Sequence, residues 1–107
     1  MSARPLSVVT IHVLGAIAAG ERYGFSILDA AELPSGTVYP ILSRLEKTGL
    51  VRGTWEPPSV AQRERRPGRR YYEITAGGSR ELARSIEYYR TVGGGRKGPL
   101  VSRPSRG

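Results

Sequence analysis

Ser35, Thr37, Tyr39, Ser43, Arg44 and Lys47 fall within one short stretch, residues 35–47. Hydroxyls, a phenol ring and two cations at helical spacing are groups that hold phosphate oxygens and read base edges. Ser35-Gly36-Thr37 adds a helix start, whose unpaired backbone N–H groups suit an anion. Interleaved with them, Val38, Ile41, Leu42 and Leu45 stand at i, i+3, i+4 and i+7 and make one inward apolar stripe. The pattern predicts a helix from Gly36 to Thr48, with Ser35 as N-cap and Gly49 as a left-handed stop. Pro40 lies near its start, so it costs less than the ~3 kcal/mol of a mid-helix proline.

A second set of cations follows. Val51, Gly53 and Trp55 alternate with Arg52, Thr54 and Glu56, which is a strand pattern that Pro57-Pro58 stops. Another strand is expected over Arg70 to Thr75, where Tyr72 and Ile74 alternate with Tyr71 and Glu73. The hairpin tip, Ser59 to Arg69, carries Gln62, Arg63, Arg65, Arg66 and Arg69. Arginine suits phosphates and narrow grooves, so these four arginines are candidate nucleic-acid contacts rather than a merely solvated loop. Trp55 is expected to pack in the core or at the hinge of the hairpin; stacking on a ligand is the alternative.

The charge balance agrees. The 107 residues carry 17 Lys+Arg against 9 Asp+Glu, a net +8, and the excess is localised. Residues 57–70 hold five arginines against Glu64 alone, whereas residues 1–56 are balanced. A localised excess is the footprint of a nucleic-acid partner.

Catalytic chemistry finds little support. His12 is the only histidine and Asp29 the only aspartate, so no nucleophile–base pair or spaced carboxylate pair stands out. Gly93-Gly94-Gly95 follows no strand and opens no helix, which removes a phosphate-binding glycine loop. With no cysteine and one histidine, neither a disulfide nor a metal site is expected, and no cofactor is implied. No apolar run approaches the ~20 residues of a membrane span, and the reading is a cytoplasmic protein.

Three further helices position these groups. Pro5 to Gly20 reads as a first helix through Leu6, Val9, Val13, Leu14 and Ile17. Val8-Val9-Thr10-Ile11 would suit a strand by propensity, but length and end signals favour the helix. It is apolar on more than one side, which fits sharing between a core and a second copy. Tyr23 to Ala31 makes a short second helix with Ile27, Leu28 and Ala31 inward, and Glu32-Leu33-Pro34 turns into the helix that follows. The pair forms a helix-turn-helix. Thr75 caps a last helix, Ala76 to Thr91, in which Gly77 and Gly78 weaken the first turn. Its seam of Leu82, Ile86 and Tyr89 is narrow, so it either packs back on its own domain or pairs with a partner. Residues 93–107, rich in glycine and cations, are expected to be a disordered basic tail.

The motifs Tyr23-Gly24-Phe25, Ser35-Gly36-Thr37-Val38-Tyr39-Pro40-Ile41-Leu42, Arg44-Leu45-Glu46 and Gly49-Leu50-Val51 resemble those of the PadR family of transcriptional regulators. Trp55-Glu56, Arg70-Tyr71-Tyr72-Glu73-Ile74-Thr75 and Gly78 continue the resemblance in the same order, over roughly residues 5–92. It implies a mainly α winged helix-turn-helix domain, residues 1–75, and a C-terminal dimerisation helix, residues 76–92. It also implies a homodimer, for which Val9, Val13, Leu82, Ile86 and Tyr89 are the interface candidates. Repression by promoter occlusion, with release by a small molecule at the dimer interface, belongs to the same implication. The candidate DNA contacts are Ser35, Gly36, Thr37, Tyr39, Pro40, Ser43, Arg44 and Lys47 on the helix and Arg63, Arg65, Arg66 and Arg69 on the wing. A non-specific nucleic-acid module and a protein-interaction module are the alternatives.

Overall fold

The computed structural model describes residues 4–92. Helix α1 spans Val8–Ala18 and starts three residues later than Pro5 suggests. Ser7 sets the start, because its Oγ accepts from the Thr10 N–H at 3.2 Å. The β-branched run is helical, with Thr10, Val13, Leu14, Ala16 and Ile17 buried and Gly20 at φ +114° just beyond. Helix α2, Gly24–Ala31, begins where Ser26 Oγ bonds both the N–H and the carbonyl of Tyr23, at 3.4 and 2.9 Å. Its inward residue is Ile27, with Leu28 packed against the same core.

Helix α3, Ser35–Lys47, is the helix anticipated at residues 36–48, with one correction at its start. Pro34, not Ser35, is the N-cap; its backbone is extended at φ −72°, ψ 156°, and its carbonyl accepts from Thr37 and Val38. The proline ring already fixes the entry angle, so Ser35 is the first helical residue and makes no cap bond. The far end follows the expectation. Gly49 lies at φ +79°, and the Leu50 N–H reaches back to the Leu45 carbonyl at 2.9 Å, the Schellman closure.

Strands β1 (Val51–Trp55) and β2 (Arg70–Ile74) pair antiparallel, with Val51 opposite Ile74 and Trp55 opposite Arg70. The segment between them is not a plain loop, because Pro58–Glu64 forms helix α4. Pro58 occupies its first turn, where the missing N–H costs nothing. The hairpin is tied to the segment leading into α2 by the Tyr72 N–H, which donates to the Arg22 carbonyl at 2.7 Å.

Helix α5, Ala76–Val92, is capped by Thr75 Oγ1, which accepts from the Gly78 N–H at 3.0 Å. It packs back on its own domain. Leu82 rests on the core, buried Ser85 accepts from the Leu6 N–H at 2.9 Å, and the Tyr89 hydroxyl donates to the Leu6 carbonyl at 2.9 Å. The core joins Val13, Leu14 and Ile17 of α1 to Ile27, to the stripe Val38, Ile41, Leu42 and Leu45, and to Val51 and Tyr72.

The single chain therefore uses part of the surface assigned to a partner. Val13 has no exposed surface and cannot meet a second subunit, while Leu82 and Tyr89 are half-buried against their own chain. Val8, Val9, Ile86 and Val92 remain exposed. Among the described residues no helix is long and apolar enough to cross a membrane, and no group of three metal-ligating side chains occurs. The proposed tail, residues 93–107, lies outside the described residues.

Candidate nucleic-acid interface

At 100° per residue, α3 presents three sides around its buried stripe. Outermost are Gly36, Pro40, Ser43 and Lys47, all exposed and opposite Val38, Ile41, Leu42 and Leu45. Ser35, exposed at the helix start, stands one turn before Tyr39, at the edge of this face. Tyr39 and Glu46 lie on the side toward the hairpin. The Tyr39 ring sits over Gly24, where a Cβ would stand 2.6 Å from its hydroxyl, so glycine at the start of α2 leaves room for the phenol. Glu46 holds the guanidinium of Arg70 on β2. Gly53 leaves room for this pair, since a Cβ there would meet Arg70 Nη2 at 2.7 Å. On the third side stand half-buried Thr37 and exposed Arg44; Arg44 borders a cleft shared with Ser7, Thr48 and Glu81.

The hairpin arginines divide. Arg63 and Arg65 are exposed at the end of α4, where Arg65 adopts the left-handed conformation at φ 56°. Arg66 turns inward instead. Its Nη1 and Nη2 donate to the two oxygens of Glu56 at 2.6 and 3.1 Å, and the Arg69 N–H adds a third bond at 3.0 Å. Glu56 is almost completely buried, with a side-chain exposure of 2%. Arg66 therefore fixes the hairpin loop rather than presenting a free guanidinium. Arg69 is half-buried, with its guanidinium 4.0 Å from the centre of the Tyr23 ring. Among the described residues Arg44, Lys47, Arg63, Arg65 and Arg69 form no ion pair, so their charge is available to a polyanion.

The hydrogen bonds from Arg66 hold the Glu56 carboxyl below the usual carboxylate range; burial opposes them, and the Arg69 amide and Tyr71 hydroxyl assist. A carboxyl with a depressed folded pKa contributes stability that is complete above its unfolded pKa and is lost as pH falls through the folded value. Glu56→Gln removes that charge, so the variant is expected to melt lower than the parent at neutral pH, with the gap closing in acid. Thermal melts from pH 7 down to pH 3 check this; an unchanged gap would leave the Glu56–Arg66 pair without an energetic role.

Sequence reasoning placed Trp55 in the core or hinge, and the structure corrects this: its relative exposure is 63%. Strand alternation tells which side of a sheet a residue occupies, not whether a core lies beneath it. Trp55 is four residues along β1 from the buried Val51, roughly 13 Å at strand rise, which carries it beyond the edge of a helix about 10 Å wide. Tyr23, Phe25 and Arg70 stand in the sequence as motif and element residues with no contact assigned to them, and α4 is not anticipated at all. Pro58 after a stopped strand was the one local signal for α4.

The model of the transcriptional regulator PadR-like family matches residues 13–84. No curated protein matches the sequence. A PadR family transcription regulator from hypervirulent Clostridium difficile has a similar structure, with a TM-score of 0.68 and 21% identity over 80% of this chain and 91% of that one. A PadR-like transcriptional regulator from Bacillus cereus gives a TM-score of 0.64 and 27% identity over 79% of this chain and 84% of that one. BpsR of Bordetella bronchiseptica, whose DNA binding is regulated by 6-hydroxynicotinic acid, gives a TM-score of 0.66 and 15% identity, covering 85% of this chain and 64% of that one.

Proposed function

The chain belongs to the PadR-like family of transcriptional regulators, and on that footing we propose that it binds double-stranded DNA sequence-specifically as a two-fold dimer. The observation that carries this is the outer face of α3. Gly36, Pro40, Ser43 and Lys47 are exposed there, beside the unpaired cations Arg44, Arg63, Arg65 and Arg69. In this reading α3 enters the major groove. Ser35, Thr37 and Tyr39 bind phosphates, Ser43, Arg44 and Lys47 reach base edges or deeper phosphates, and Arg63 and Arg65 grip the flanking backbone. Arg69 adds charge at the hairpin base, and Arg66 acts by holding the loop.

The partner surface is the exposed apolar set Val8 and Val9 of α1 with Ile86 and Val92 of α5, and the protein works in the cytoplasm. Occupying a promoter in this way represses transcription. A small molecule releases the DNA; BpsR supports that part by analogy, since its DNA binding is regulated by 6-hydroxynicotinic acid.

Selection from a random duplex library tests the proposal. The expected result is enrichment of two inverted half-sites about one helical turn apart, roughly 34 Å. An unenriched library would favour a non-specific module. Replacing Arg63 and Arg65 together by alanine is expected to weaken binding evenly across sequences. The log–log salt slope should fall by about 0.9 for each lost phosphate contact.

A further inference from the structure

Trp55 and Phe25 are the two most exposed large apolar residues among those described, at 63% and 73%. A solvent-exposed indole forgoes a large burial gain, so it signals a partner when its surroundings match one. Here they match. Trp55 and Phe25 line one concavity of 760 Å³ between the starts of α2 and β2, together with Tyr23, Tyr39, Arg69 and Arg70. No carboxylate lines this concavity.

The charges are pre-stacked on the rings. The Arg70 guanidinium lies 5.3 Å from the Trp55 ring centre, and Arg69 lies 4.0 Å from that of Tyr23. Arg70 is also held by Glu46 of α3, so Trp55 is tied to the helix whose outer face carries the proposed DNA contacts. The rim therefore alternates apolar rings with guanidinium groups. A DNA backbone has the complementary alternation, in which weakly polar deoxyribose rings separate anionic phosphates.

We infer that Trp55 is a DNA-contacting residue whose indole packs on a deoxyribose of the backbone beside α3, while Arg69 meets the adjoining phosphate and Arg70, paired with Glu46, holds the indole in place. This rests on the proposed DNA binding and extends it from the wing arginines to an aromatic contact at the hairpin base. Its contribution is apolar, so it adds affinity without adding to the salt dependence. Phe25 borders the same groove from α2.

The chain contains a single tryptophan, so fluorescence excited at the red edge of its absorption, where the six tyrosines do not absorb, reports this position alone. The test uses the full chain with a labelled duplex from the library selection. Anisotropy of the label reads binding, and acrylamide quenching reads Trp55. The expected result is a drop in the quenching constant of roughly twofold or more at DNA saturation. Trp55→Ala is expected to bind about tenfold more weakly with an unchanged salt slope, and Trp55→Phe by less. Both variants should melt with the parent because the side chain is exposed. Three outcomes would overturn the inference: binding that leaves Trp55 as accessible as before, a Trp55→Ala affinity equal to the parent's, or full protection before DNA is added. The last would assign the groove to a second copy or a small molecule. Flat anisotropy would overturn the DNA-binding proposal itself and this contact with it.

Discussion

Gly78→Ala is expected to lower stability by about 3 kcal/mol, equivalent to a fall in Tm of roughly 10–20 °C for a domain of this size. A Cβ at Gly78 would collide with the carbonyl oxygen of Leu50 and stand 2.8 Å from Ile74 Cγ1. The Leu50 oxygen cannot retreat freely, because it already accepts from the Thr75 N–H at 3.0 Å and from Thr75 Oγ1 at 3.1 Å. The alternative is to lift the start of α5 from the hairpin, which disturbs the packing of Leu82 and the bonds of Ser85 and Tyr89 to Leu6. Alanine gains about 1 kcal/mol of helix propensity over glycine, too little to offset the clash. Gly77→Ala is the control. Its Cβ would meet Thr75 Oγ1 at 3.7 Å and nothing closer, so the same propensity gain should raise the Tm by a few degrees. Thermal melts of the two variants side by side check the pair. Equal behaviour would mean that α5 does not approach Leu50 as described.

Ser43→Glu should abolish specific binding in practice, by at least ~100-fold, while leaving the fold intact. Ser43 is exposed on the outer face of α3, and its side chain makes no hydrogen bond among the described residues, so little in the domain depends on it. A carboxylate there would face the phosphates and base-edge acceptors of a groove, and like-charge juxtaposition costs several kcal/mol. In a dimer the penalty applies at both half-sites. Anisotropy with the selected duplex reads the loss, and a melt matching the parent shows that it is not a folding defect. Undiminished affinity would move the DNA contact away from this face.

The parts of the fold legible in the sequence were those written locally. The stripe Val38, Ile41, Leu42 and Leu45, the Gly49 stop and the Thr75 cap each rest on residues within two helical turns, and all three appear as expected. The PadR resemblance read from the ordered motifs agrees with the family match over residues 13–84. The parts that escaped depend on residues far apart in the chain. Glu56 and Arg66 are ten residues apart, and only the α4 insertion brings them together. Leu6 and Tyr89, which settle how α5 packs, are separated by 83. Val13 illustrates the limit from the other direction. An apolar helical position can face a core or a partner with the same periodicity, and here the core of the single chain takes it. By propensity Gly78 is a weak helix former and by motif a family residue; neither reveals its close approach to Leu50.

A sequence-specific regulator must discriminate between DNA sequences. The most direct measurement is fluorescence anisotropy with the duplex upstream of the chain's own coding region, the selected duplex and a scrambled control, across a salt series. Binding at least ~10³ tighter to the selected duplex than to the control is expected, with affinity falling steeply as salt rises. Tight binding to the upstream duplex would add autoregulation. Equal affinity for the selected and scrambled duplexes at every salt concentration would contradict a sequence-specific regulator, and absence of binding at low salt would contradict DNA binding altogether.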